Sequence, residues 1–180
     1  MKLNDYEKKF FPTYEAFAET VRFILEKALL AAESLPRPQS IQCRAKGIES
    51  VRRCLAEVGK LDTQTLELDR RDLAGARLIF YTNNDVTRFL ASPLIYENFE
   101  IEGGSTKIHH PTPEHEEARY RAVHYTVRLR DDRIRLSEYA RFDGMRCEIQ
   151  IQTILDHAWS ETSHDIIYRT SWAMVTAGTA

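Results

Sequence analysis

Residues 145–153, Met-Arg-Cys-Glu-Ile-Gln-Ile-Gln-Thr, alternate apolar and polar so strictly that an extended strand is the structure that uses the pattern. Strand side chains point to opposite faces at every second residue. Cys147, Ile149 and Ile151 therefore share one face, and Arg146, Glu148, Gln150 and Gln152 share the other. The apolar face belongs against a core. The polar face carries one carboxylate between amides, and an aromatic, histidine-rich helix follows it directly, which makes Glu148 the first candidate for chemistry.

The flanking chain supplies helices and further strands. Apolar positions Phe17, Val21, Ile24, Ala28 and Ala31 recur at three- and four-residue steps and predict an amphipathic helix from Pro12 to about Ser34, stopped by Leu35-Pro-Arg-Pro. A second helix is expected from Gln42 to Val58, with Ile48, Val51, Leu55 and Val58 inward, Gly59 as its cap, and Arg44, Lys46, Arg52 and Arg53 on its outer side. A polar connector from Leu61 to Leu68 leads through Asp69-Arg-Arg-Asp-Leu-Ala-Gly-Ala-Arg into the β-prone run Leu78-Ile-Phe-Tyr.

Asn84 is the expected cap of a short helix ending before Pro93, and Tyr96 to Ile108 reads as a strand or hairpin around Gly103-Gly104. Residues 109–118 read as a loop. From Ala122 to Arg130 alternation returns, with Val123, Tyr125, Val127 and Leu129 inward and His124, Thr126 and Arg128 outward. Asp131-Asp132 turns the chain, Leu136 to Phe142 reads as a brief helix, and Thr153 with Asp156 forms a capping box for a helix packed through Leu155, Ala158, Trp159 and Ile166. Strands and helices intermixed in this way predict an α+β fold. One domain over residues 1–170 is expected, with 171–180 as the frayed tail of a longer protein.

Composition removes several function classes. A net charge of −2 argues against a broad basic surface that coats nucleic acid. Cys43, Cys54 and Cys147 are odd in number and lack Cys-x-x-Cys spacing, which suggests neither a disulfide framework nor zinc and fits a reducing cytoplasm. The start of the chain has no apolar signal core, and no run is long enough to span a bilayer. Two widely separated acids, Asp72 and Glu148, with an arginine-rich neighbourhood fit a Mg²⁺ and polyphosphate site. Mg²⁺ is commonly held by one or two carboxylates plus phosphate oxygens, while guanidinium groups grip the phosphates. A structural salt-bridge network is the competing reading of the same residues.

Asp72-Leu-Ala-Gly-Ala-Arg77, Tyr120-Arg-Ala-Val-His124 and Glu148-Ile-Gln-Ile-Gln-Thr153, with His157-Ala-Trp159 and His164 downstream and Arg44-Ala-Lys46 with Ser50 upstream, resemble the RelA/SpoT alarmone synthetase domain. The resemblance spans about residues 40–168. It implies a mixed, largely antiparallel sheet flanked by helices, related to the nucleotidyltransferase fold. It further implies transfer of the β,γ-pyrophosphate of ATP to the 3′-hydroxyl of GDP or GTP, giving (p)ppGpp and AMP. Asp72 and Glu148 would bind Mg²⁺, for which Mn²⁺ could substitute, and Glu148 could instead take the hydroxyl proton. Arg44, Lys46, Ser50, Arg53 and Arg77 would bind ATP. Tyr120, stacking on the base, His124 and Gln150 would serve the acceptor.

The chain departs from the family pattern at three places. Glu114, Glu116, Glu117, Ala118 and Arg119 stand where GDP-accepting members usually carry lysines and Asn-Gly, Cys54 replaces a lysine that Arg53 could stand in for, and Gln152 replaces an arginine. The runner-up is therefore a toxin-type synthetase that pyrophosphorylates the tRNA 3′ end, with Lys2, Lys8, Lys9, Arg133 or Arg135 as phosphate contacts. A non-catalytic nucleotide sensor and a metal phosphohydrolase using His164-Asp165 and His109-His110 are the readings from other classes. An antitoxin, an attached regulatory region or a second copy of the chain are the conceivable protein partners; a membrane is not.

Overall fold

The computed structural model describes residues 1–104, 106–109 and 122–162. A helical turn at Leu3–Asp5 and a wider π-turn at Tyr6–Phe10 lead into helix α1, Phe11–Ala31. Strand β1, Ser40–Ala45, precedes helix α2, Ile48–Glu57. After a single turn at Leu66–Asp69 come β2, Ala74–Phe80, and helices α3, Asn83–Leu90, and α4, Leu94–Asn98. Strands β3, Phe99–Ile101, β4, Lys107–His109, β5, Ala122–Leu129, and β6, Cys147–Thr153, complete the sheet, and helix α5 follows over residues 154–162.

The sheet is mixed and mostly antiparallel, in the order β1-β2-β6-β5-β3, with β4 also paired to β5. Among the described strands only β2 and β6 run parallel. The α+β expectation and the alternation in β5 and β6 hold. Ile149, Ile151, Cys147 and Val127 are fully buried on one face, against α1, where Phe17, Val21 and Leu25 are buried as well. Each such side chain contributes about 1.5–3 kcal/mol when taken out of water, so α1 is held chiefly by this layer.

Several local expectations are corrected. Residues 40–45 form a strand where a helix from Gln42 was expected: Ile41, Cys43 and Ala45 alternate with Gln42 and Arg44, and helix begins only after Gly47. Val58 is then left exposed, although Gly59 does end α2 with a positive φ of 67°. Of the strand and hairpin readings around Gly103-Gly104, the strand holds and the hairpin does not. Strands β3 and β4 both pair antiparallel with β5, at opposite ends of it, so they are two pieces of one edge strand broken at Gly104, whose φ is 71°.

Thr82, not Asn84, caps α3, its hydroxyl accepting from the Asp85 amide at 3.1 Å. The brief helix expected at 136–142 is reduced to a 3-10 turn at Ala140–Phe142. Among the described residues no helix is long and apolar enough to cross a membrane.

Candidate active site

The face of the sheet turned away from α1 is open, and strand register decides what stands on it. One row across the strands reads Arg44, Gly75, Glu148 and Thr126, and the next reads Gln42, Arg77, Gln150, His124 and Lys107. Residues more than a hundred positions apart thus become neighbours on one pleated surface. A cavity on this face is lined by Arg44, Lys46, Asp72, Arg77, Glu148 and Gln150, with His157 and Glu161 of α5 as its second wall.

Asp72 sits just before β2 and Lys46 just after β1. The Lys46 ammonium and the Arg70 guanidinium, at 3.1 Å, both contact Asp72 Oδ2. Their backbones are tied together: the Lys46 amide donates to the Leu73 carbonyl at 2.8 Å. The buried Tyr6 hydroxyl donates to the Lys46 carbonyl at 2.7 Å and lies 3.4 Å from that of Leu73. Burial pushes the Tyr6 hydroxyl pKa well up, so it remains a donor. Sequence reasoning missed Tyr6, because a lone aromatic in a short helical turn reads as core.

Glu148 is half-buried. Gln150 Nε2 donates to its Oε2 at 2.7 Å, and His124 Nδ1 lies 3.4 Å from its Oε1. Burial by itself would raise the Glu148 pKa. Hydrogen bonds from His124 and Gln150, with the charges of His124 and Lys107, outweigh burial and bring it to about 2. The group is a fixed anion at neutral pH. Arg77 spans Gln150 and α5: its Nε donates to Gln150 Oε1 at 2.9 Å and its Nη1 to Glu161 Oε1 at 2.6 Å.

The carboxylates fit a hard divalent cation better than a caged metal. Among the described residues no group of three His, Cys, Asp or Glu is poised to hold a metal, whereas Asp72 and Glu148 open on one cavity beside cationic side chains. Two carboxylates completed by phosphate oxygens are the usual Mg²⁺ donor set.

The family model for the region found in RelA / SpoT proteins matches residues 43–172. The chain belongs to the RelA/SpoT family. Small alarmone synthetase 1 from Bacillus subtilis, 19% identical, aligns with a TM-score of 0.73 over 93% of this chain and 81% of its own. Small alarmone synthetase 1 from Bacillus subtilis bound to its product pppGpp gives 0.68 at 20% identity over 92% and 82%. A GTP pyrophosphokinase family protein from Streptococcus pneumoniae gives 0.63 at 21% over 92% and 76%. Comparison with curated protein sequences gives no match. The fold is that of the RelA/SpoT synthetases, and family membership places the chain among the nucleotide pyrophosphokinases.

Within this RelA/SpoT fold, Arg44, Lys46, Asp72, Arg77, Glu148 and Gln150 share the cavity, and His124 touches it through Glu148. Ser50 and Arg53 are exposed on α2 and do not line it. Gln152 is 1% exposed and bonds His157 at 3.2 Å, so it faces α5. Tyr120, the acidic loop at 114–117 and His164-Asp165 lie outside the described residues. Lys107, overlooked in the sequence, stands in register with His124.

The helix after β6 does not pack as expected. Thr153 caps it through the Asp156 amide at 3.2 Å, but Leu155 is 77% and Trp159 47% exposed, and Ala158 is exposed too. The side facing the sheet and cavity carries Asp156, His157 and Glu161.

Proposed function

We propose that this protein transfers the β,γ-pyrophosphate of ATP to the 3′-hydroxyl of a guanosine nucleotide. The observation that carries the reading is the convergence of Asp72 and Glu148 on one cavity with Arg44, Lys46 and Arg77. Pyrophosphate transfer to a hydroxyl needs little covalent help from protein. It needs the donor held in line, charge on the transferred group neutralised, and the hydroxyl oriented.

Arg44, Lys46 and Arg77 are the donor-binding groups in this reading, with Arg53 and Ser50 on the adjoining helix as contacts for phosphates that reach beyond the cavity. The lining cations are largely matched already by lining acids, Lys46 by Asp72 and Arg77 by Glu161. A polyphosphate therefore gains little attraction unless it brings a cation. Asp72 and Glu148 would hold Mg²⁺, with Mn²⁺ as a substitute, which when bound neutralises charge on the phosphates. Glu148 would serve as cation ligand or take the proton of the attacking hydroxyl, and in either part it orients that hydroxyl.

For the acceptor, Lys107 beside His124 supplies a cation at the far end of the same row, suited to the phosphates of a guanosine nucleotide. Tyr120 and Gln150 complete the acceptor side in this reading. The small alarmone synthetase 1 structure from Bacillus subtilis contains its product pppGpp, which is in keeping with it.

The test is incubation with γ-labelled ATP and, in parallel, GDP, GTP or tRNA, with and without Mg²⁺. Label on GDP or GTP with AMP release is the expected result. Label on tRNA alone would replace the acceptor, and ATP binding without AMP release would leave a nucleotide sensor.

A further inference from the structure

Glu161 is not among the residues singled out by sequence, yet it ends a chain of hydrogen bonds that reaches the candidate catalytic carboxylate. Glu161 Oε1 accepts from Arg77 Nη1 at 2.6 Å, Arg77 Nε donates to Gln150 Oε1 at 2.9 Å, and Gln150 Nε2 donates to Glu148 Oε2 at 2.7 Å. The chain crosses from α5 over β2 to β6. Its direction is imposed by chemistry. Arg77 can only donate and ionised Glu148 can only accept, so the Gln150 amide has one orientation that serves both, with oxygen toward Arg77 and nitrogen toward Glu148.

We propose that Glu161 is a positioning residue that, through Arg77 and Gln150, fixes the orientation of the Glu148 carboxylate. This rests on the pyrophosphokinase reading above. Arg77 has several rotatable bonds and is 21% exposed, so one bond to Gln150 leaves the guanidinium free to pivot about Nε. The second bond, to Glu161, removes that pivot. A guanidinium held at two points holds the Gln150 amide, and the amide holds one carboxylate oxygen, leaving Oε1 toward His124. Placement matters on this scale, since a misplacement of about 1 Å at a reacting centre can cost about 100-fold in rate.

Glu161 also fastens α5 over the cavity, together with the His157–Gln152 contact, because its partner stands on the sheet. The helix shows Leu155 and Trp159 to solvent and lays His157 and Glu161 along the cavity wall. The side chain is 58% exposed, so a substitution there leaves the core untouched.

Glu161→Leu, Glu161→Gln, Gln150→Leu and the Glu161→Leu/Gln150→Leu double variant provide the test. Expected are a fall in kcat of about tenfold for Glu161→Leu with KM for ATP within about twofold, and recovery of most activity in Glu161→Gln, which keeps an acceptor for Arg77. The double variant should lose no more than Gln150→Leu alone, as residues acting through one another are not additive. In the nucleotide-free protein, the Gln150 side-chain amide resonance should move in Glu161→Leu.

An unmoved Gln150 resonance, an unchanged kcat, a loss confined to KM for ATP, or additive losses in the double variant would each overturn the proposal. A wild type that transfers no pyrophosphate to any acceptor removes the functional reading instead, and the Gln150 resonance then decides the relay by itself.

Discussion

Gly75 stands between Arg44 and Glu148 on the open face and lines the cavity floor. Its backbone is ordinary strand, so no left-handed conformation demands glycine there. A Cβ added at this position meets only the Glu148 carbonyl oxygen, at 3.8 Å, an ordinary contact. Gly75→Ala should therefore fold, and should gain about 0.4–1 kcal/mol by restricting the unfolded chain. For a chain of this length that is a rise of about 1–4 °C in Tm.

A longer side chain has nowhere to go but the cavity. Gly75→Leu should keep the fold, while a nucleotide forced to make room loses about 1–3 kcal/mol, a five- to 150-fold weaker Kd. The assay is calorimetric titration with a non-hydrolysable ATP analogue and Mg²⁺, beside a thermal melt of each variant. Stability rising with Ala and affinity falling with Leu is the expected pair. If Gly75→Leu binds the analogue like the wild type, the nucleotide does not lie on this floor. If Gly75→Ala melts well below the wild type, the glycine is there for the backbone and not for the ligand.

Glu148→Gln preserves shape and should lower pyrophosphate transfer at least about 100-fold while the melting curve stays cooperative; turnover near wild type would take the carboxylate out of the reaction. Lys107→Met should raise KM for the guanosine acceptor about tenfold and leave ATP affinity unchanged, measured by initial rates against each substrate in turn. Tyr6→Phe leaves the Lys46 carbonyl without its hydroxyl donor, at a cost of about 1–3 kcal/mol in urea unfolding, and should weaken ATP binding through the Lys46 and Asp72 loops. Glu102 accepts from Arg146 at 3.1 and 3.2 Å; burial pushes its pKa up, but Arg146, Arg71 and Arg128 outweigh this and hold it below the usual range. A depressed folded pKa gives stability that is present above the unfolded value of about 4.3 and is lost as pH falls through the folded pKa, so Glu102→Gln should unfold earlier than wild type at pH 7, and the gap should narrow as the pH is lowered into the acid range.

Much of the sheet was legible because alternation survives burial. Cys147 to Thr153 and Ala122 to Leu129 reappear as strands with the expected faces, and their polar sides are where Glu148, Gln150 and His124 meet. The α1 stripe was readable for the same reason, Phe17, Val21 and Ile24 all being buried. β1 was missed although its period of two is present in Ile41, Cys43 and Ala45. Six residues abutting the strongly helical Ile48 to Leu55 were absorbed into the longer pattern. The consequence is chemical: Arg44 belongs in register with Glu148 on the sheet and not on a helix flank.

What could not be read from pattern is the wall formed by α5. Leu155, Ala158 and Trp159 have the spacing of a packing stripe, so hydrophobicity places them against the sheet. The protein does the reverse, because the sheet face that α5 covers is the polar one, and Arg77 and Gln152 there require hydrogen-bond partners rather than methyl groups. An amphipathic helix packs by matching the surface it meets, and that surface is polar only because the site is built on it. Local patterning therefore gives the wrong answer where the sheet has been turned to chemistry, as expected of a sequence whose departures from its own rules concentrate at functional positions. The same logic leaves Leu155 and Trp159 facing solvent, and makes the Glu161–Arg77 contact, not hydrophobic burial, what joins this end of α5 to the sheet.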